Sequence, residues 1–133
     1  MTLNALRSAL LALVVLSIVS GMAAVSATAR AEETSRFVSV IDDLPLMNGL
    51  VEVGEGVEFA TPQGRIVEVT TRGASKALSE SAVADFYAKT LPQLGWTAQS
   101  KTRFVREGET LDLIFGSDGG VLSVRFSLAP SDK

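Results

Sequence analysis

Ser79-Glu80-Ser81-Ala82-Val83-Ala84-Asp85-Phe86-Tyr87-Ala88-Lys89-Thr90-Leu91-Pro92-Gln93-Leu94-Gly95-Trp96 carries its apolar side chains at intervals of three and four. Val83, Phe86, Tyr87, Leu91 and Leu94 form one stripe, and Asp85, Lys89 and Gln93 lie largely opposite, which is the pattern of a helix with one buried side. Ser79 offers a hydroxyl to cap it, and Glu80 suits the positive end of the helix dipole. Pro92 removes a backbone donor and crowds the preceding turn, so the helix ends or kinks there. Gly95 terminates it, and Trp96 is expected to fold back onto the core.

On both sides the apolar period changes from helical to two, the period of strands. Downstream, Leu122, Val124, Phe126 and Leu128 alternate with Ser123, Arg125 and Ser127, and Leu111, Leu113 and Phe115 flank Asp112 and Ile114. Glu107-Gly108-Glu109 and Ser117-Asp118-Gly119-Gly120 supply turns. The stretch 97–106 has few apolar residues and reads as a twisted or edge strand protected by Lys101, Arg103 and Arg106. Upstream, 57–60 and 66–71 are β-rich runs separated by Thr61-Pro62-Gln63-Gly64-Arg65, a hairpin signal. In that hairpin Val57 and Phe59 share one face, as do Val67 and Val69, while Glu58, Glu68 and Thr70 point away. Residues 37–41 read as a short strand or ordered arm. Pro45 and Gly49 bar regular structure from 42–50, so Leu44, Leu46, Met47 and Leu50 are expected on an extended arm packed against the sheet.

These elements predict an α+β class: an antiparallel sheet of about five strands, in the order ββαβββ, with one helix packed on one face. Val83, Phe86, Leu91, Leu113, Phe115, Val124 and Phe126 are the expected core. The expected domain covers residues 37–130, with a polar tail over 131–133.

The N-terminus reads as an address. Arg7 is followed by an apolar run over 9–19 and a small-residue stretch over 20–31, the order of a secretory signal peptide. Small residues permit a cut after Ala27, Ala29 or Ala31, and 32–36 then form a flexible leader. The strong apolar run is shorter than the roughly 20 residues a membrane span requires, which favours cleavage over retention as an inner-membrane tether. Localisation is therefore expected to be periplasmic or secreted. With no cysteine there is neither lipid attachment nor a disulfide. Removing Arg7 and Arg30 from twelve basic residues leaves ten against fifteen carboxylates, a net charge of −5 from Glu32 onward. Such a surface disfavours nucleic acid and anionic lipid.

Phe86-Tyr87-Ala88-Lys89-Thr90-Leu91-Pro92-Gln93-Leu94-Gly95-Trp96, with Arg103-Phe104-Val105-Arg106 and Leu111-Asp112-Leu113-Ile114-Phe115, resembles small exported proteins of alphaproteobacteria. The likeness extends back through Asp43-Leu44-Pro45-Leu46-Met47 and Pro62-Gln63-Gly64-Arg65-Ile66. Asn48 stands where that family often has proline. The resemblance implies the same fold and compartment and carries no assigned activity.

With no histidine and no cysteine, the commonest general base, the soft metal ligands and the thiol nucleophile are all missing. Ser75-Lys76 is adjacent rather than one helical turn apart. The carboxylate pairs Asp42/Asp43 and Glu107/Glu109 sit in turn-rich sequence, and Ser117-Asp118-Gly119-Gly120 lacks the ligand series of a calcium loop. Tyr87 and Trp96 could form a flat binding platform, but their helical spacing assigns them to packing. No catalytic residue, cofactor or metal is expected.

The expected function is a non-catalytic periplasmic module that binds an envelope protein, through the arm over 42–53 or an exposed sheet edge. Leu46, Met47, Leu50, Lys101, Arg103 and Arg106 are the candidate surface. The alternative is a small carrier holding an apolar ligand, such as a lipid, between helix and sheet.

Overall fold

A computed structural model describes residues 36–132. The signal segment expected over 1–31, its three candidate cuts and all of the 32–36 leader except Arg36 lie outside the described residues. Arg36 itself is tied into the fold, since its carbonyl accepts a 2.8 Å bond from Leu46 N.

Helix α1 spans Glu80–Thr90. Ser79 sits in extended backbone at φ −102° and ψ 154°, and its Oγ accepts from Ala82 N at 3.2 Å, satisfying one of the first-turn donors. Pro92 ends the helix rather than kinking it. The chain tightens into a single 3₁₀ turn over Leu91–Leu94, and Gly95 takes a left-handed φ of +87°. Trp96 N then bonds Leu91 O at 3.1 Å, which returns the indole to the core at 3% exposure.

The described residues form nine strands besides the helix: β1 Phe37–Val38, β2 Ile41–Pro45, β3 Leu50–Glu52, β4 Val57–Thr61, β5 Gly64–Gly73, β6 Thr97–Ala98, β7 Arg103–Arg106, β8 Glu109–Asp118 and β9 Val121–Pro130. β1 and β2 pair with each other. The other seven form one antiparallel sheet in the order β3-β5-β9-β8-β7-β6, with β4 also pairing β5. The α+β class with an antiparallel sheet therefore holds, while the strand count of about five is too low. The predicted ββαβββ order corresponds to β4, β5, α1, β7, β8 and β9. The added strands, β1, β2, β3 and β6, have two to five residues each. Runs that short show no stable period of two.

The inward face of the sheet is read from burial. Val67, Val69 and Thr71 of β5 are buried, as are Phe104, Leu111, Leu113, Val124, Phe126 and Leu128. Thr71, the buried polar side chain among them, satisfies its hydroxyl on Val124 O at 3.0 Å. Val83, Tyr87 and Leu91 from α1 and its 3₁₀ extension, with Val38, Ile41, Leu44 and Leu50, complete the same core. Of the seven expected core residues, Phe86 and Phe115 are only partly buried against it. The hairpin β1–β2 and the segment after it are fixed to α1 by Tyr87, whose phenol donates to Pro45 O at 2.8 Å and accepts from Met47 N at 3.3 Å.

One face assignment is reversed. Val57 pairs with Glu68 and Phe59 with Ile66, and side chains of directly opposed residues share a face. Ile66 and Glu68 point away from the buried Val67 and Val69, so Val57 and Phe59 also lie on the outer face. The reason is the turn. Thr61 pairs with Gly64, leaving only Pro62 and Gln63 in the loop. A five-residue loop over 61–65 would have opposed Phe59 to Val67, and a one-residue change of register turns the whole strand over.

Candidate functional site

The sheet has two edges, and the sequence builds them differently. On one side the edge is β6, two residues long, flanked by the 3₁₀ turn. On the other, β3 and β4 both lie along β5, end to end, and leave their far sides unpaired. Gly54-Glu55-Gly56 joins them as a bulge, with Gly54 at φ +72°. Gly56 has no room for a side chain: an added Cβ would sit 2.5 Å from Val40 Cγ2 and 3.0 Å from Val69 Cγ2. That close approach lets the tip of the β1–β2 hairpin seat against the sheet. Ser39 at the same tip donates its backbone N–H and hydroxyl to the Glu52 carboxylate at 2.8 and 2.6 Å.

The β3–β4 edge is two-sided in its chemistry. Val51 opposes Arg72, and Val53 N bonds Thr70 O, which puts both valines on the outer face with Val57 and Phe59. All four are exposed, Phe59 at 60%, and Ile66 continues the stripe onto β5. On the inner side, Glu52 opposes the inward-facing Thr71, and Glu58 opposes Val67. Between Leu50 and Thr61 the charged residues are Glu52, Glu55 and Glu58, with no lysine or arginine. Among the described residues, Glu55 and Glu58 make no ion pair. No lysine, arginine or proline stands between Leu50 and Thr61; what blunts this edge is the shortness of β3, the bulge and the inner-face carboxylates of Glu52 and Glu58.

The six residues expected to form an interaction surface are not brought together as one. Leu50 is fully buried and offers no surface. Leu46 and Met47 are partly buried against the core. Lys101 is exposed in the turn between β6 and β7. Arg103 is held by Asp112 through two bonds of 2.7 and 2.9 Å, and that pairing raises its already high pKa. Arg106 is gripped on several sides: an ion pair to Asp43, a 3.0 Å bond from Nη1 to Leu94 O, and its guanidinium carbon 4.3 Å from the centre of the Trp96 ring. The three basic residues are thus not a positive patch. Asp43–Arg106 pins β2 to β7.

Beside this pair lies an open cleft of about 800 Å³ lined by Asp43, Thr97, Gln99, Arg106, Gly108 and Ser131, among others. Its one half-buried cation is already neutralised by Asp43. The carboxylate pairs separate as well. Asp42 is exposed while Asp43 takes Arg106; Glu107 occupies a turn at φ +49°, while Glu109 takes Arg65 at 2.9 Å and raises its pKa. Among the described residues no three metal-ligating side chains converge. Tyr87 is fully buried, its ring edge-on to Phe126 at 5.2 Å and to Phe86 at 4.9 Å, and burial pushes its phenol above its ordinary pKa. Neither it nor Trp96 is a platform. Tyr87, Trp96 and Phe126 belong to one buried cluster between helix and sheet.

The β3–β4 edge is the feature that sequence reasoning placed in general terms but did not locate. The signal for it was present in Val51, Val53, Val57 and Phe59 together with Pro62-Gln63 read as a two-residue loop.

No protein-family model, curated protein or solved structure matches this chain. Among the described residues no helix is long and apolar enough to cross a membrane.

Proposed function

We propose that this chain is an exported, non-catalytic binding module that takes an extended segment of an envelope protein as an additional strand along β3–β4. One observation carries the reading. The edge leaves half its backbone N–H and C=O groups unpaired, and beside them Val51, Val53, Val57 and Phe59 stand exposed on one face. Strand addition uses those two elements, main-chain hydrogen bonds for affinity and alternate side chains for specificity. At 45–60% exposure each of the four forgoes about half of the roughly 1.5–3 kcal/mol that full burial brings, and gathered on one face they form an apolar patch of the kind that marks an interaction surface. The carrier alternative draws no support from a helix–sheet layer occupied by Val83, Tyr87 and Leu91.

The test is site-directed photocross-linking in cells, with the photoreactive residue at Phe59, at Val53, or at Glu107 on a distant turn as control. Cross-links to one discrete protein from both edge positions and none from the control are expected, and Val57→Lys should abolish them. Cross-links of equal strength from all three positions, or co-purified lipid in a native mass spectrum with silent edge positions, would overturn the proposal.

A further inference from the structure

Resting on that reading, we infer that the strand accepted by β3–β4 is basic and alternating: apolar residues at every second position, lysine or arginine between them. The two sides of the edge impose this. A strand laid beside β4 places its alternate side chains on the outer and inner faces, each next to the β4 residue it opposes. On the outer face those neighbours are Val57 and Phe59, and further along Val51 and Val53. Apolar side chains there extend the stripe that ends at Ile66. On the inner face the neighbours are Glu58 and, at the far end, Glu52. Glu55 projects from the bulge between them.

Three carboxylates along twelve residues, unrelieved by any basic residue in that stretch, favour cations on the facing strand and penalise carboxylates. Arg65 relieves Glu58 only in part: it attracts that carboxylate across the strand pair, but its guanidinium is committed foremost to Glu109 through bonds of 2.9 and 3.4 Å. Ser39 satisfies hydrogen bonding at Glu52 without neutralising its charge. A second copy of this chain is the wrong occupant for the same reason, since its own β3–β4 edge would add Glu52, Glu55 and Glu58 and no cation. The acidic balance of residues 32–133 acts at longer range in the same direction, attracting a basic segment before contact.

The experiment measures binding of three labelled peptides of about seven residues, the length of one strand, to the purified protein by fluorescence anisotropy. The first alternates valine with lysine, the second alternates valine with glutamate, and the third holds the first peptide's residues in two blocks. The first should bind about tenfold or more tightly than the second, because each of two cross-strand charge pairs changes sign. It should also outbind the blocked peptide, and its advantage over the acidic one should shrink as salt is raised. Glu58→Lys with Glu55→Lys should reverse the order of the first two. Both positions are exposed, and an unchanged circular dichroism spectrum checks the fold. Equal binding of the basic and acidic peptides overturns the charge assignment and leaves strand addition standing. Equal binding of the alternating and blocked lysine peptides overturns the alternating register. Binding of none of them overturns both this inference and the reading beneath it.

Discussion

Replacing Tyr87 with phenylalanine removes one oxygen from the centre of the fold, and its consequence depends on pH in a way the structure sets. At neutral pH the phenol donates to Pro45 O and accepts from Met47 N. Deleting it leaves that carbonyl and that N–H partly buried and unpaired, a cost of about 1–3 kcal/mol, while the edge-on contacts with Phe86 and Phe126 remain. Burial holds the folded phenol above its ordinary value of 10.0. In the unfolded chain the phenol ionises near that value. Stability linked to Tyr87 is therefore intact below about pH 10 and falls above it by about 1.4 kcal/mol per pH unit, until the folded phenol also ionises. The variant lacks this loss. With a neutral-pH penalty of about 2 kcal/mol, parent and variant become equally stable roughly 1.5 pH units above the tyrosine value. Urea denaturation of both proteins from neutral to strongly alkaline pH measures the difference, with lysine ionisation common to the two and cancelling. The chain has a single tyrosine, so near-ultraviolet tyrosinate absorbance reports Tyr87 alone. A difference in stability that stays flat across the alkaline range, or tyrosinate forming near pH 10 in the folded protein, would refute the reasoning.

Gly56→Ala forces a methyl against Val40 and Val69, and the expected cost is about 1–3 kcal/mol by chemical denaturation, with partial recovery when Val40→Ala is added. Arg106→Ala frees Asp43 and uncovers the indole of the single tryptophan. Its fluorescence should shift to the red, and stability should drop by about 1–3 kcal/mol. Ser79→Ala removes the cap on Ala82 N and should cost about 1 kcal/mol, whereas Ser79→Asp should retain most of it; thermal unfolding of the two variants separates them.

What the sequence made legible follows from length and period. Helix α1 and the ten-residue strands β5, β8 and β9 each repeat their pattern often enough to be read without knowing their neighbours. β1, β2, β3 and β6 exist because β5, β7 and the helix give them something to pair with or pack on, which is tertiary information. The inner and outer faces of β4 depended on a single loop residue count, and the apparent alternation of Val57 and Phe59 with Glu58 fitted either face. The open edge proposed as the site was anticipated only as a class of feature, an exposed sheet edge, and not as the particular strands β3 and β4. Leu50 was drawn fully into the core by the pairing of β3 with the end of β5, where it opposes Gly73, and Arg103 and Arg106 found carboxylates on other elements.

The position of β9 has a consequence for how this chain reaches its native state. β9, the last of the described strands, is central in space, bonded to β5 on one side and β8 on the other. Its pairing with β5 joins residues some fifty to sixty positions apart, Arg72 with Ser123 at one end and Val67 with Leu128 at the other. Such closures are entropically slow, and no earlier segment substitutes for them. Without residues 121–130, β5 and β8 are each a strand with one open side, and the hydrophobic layer has a slot missing through its middle. Folding is thus held back by chain order itself: the sheet closes only when residues 121–130 are present to bridge β5 and β8.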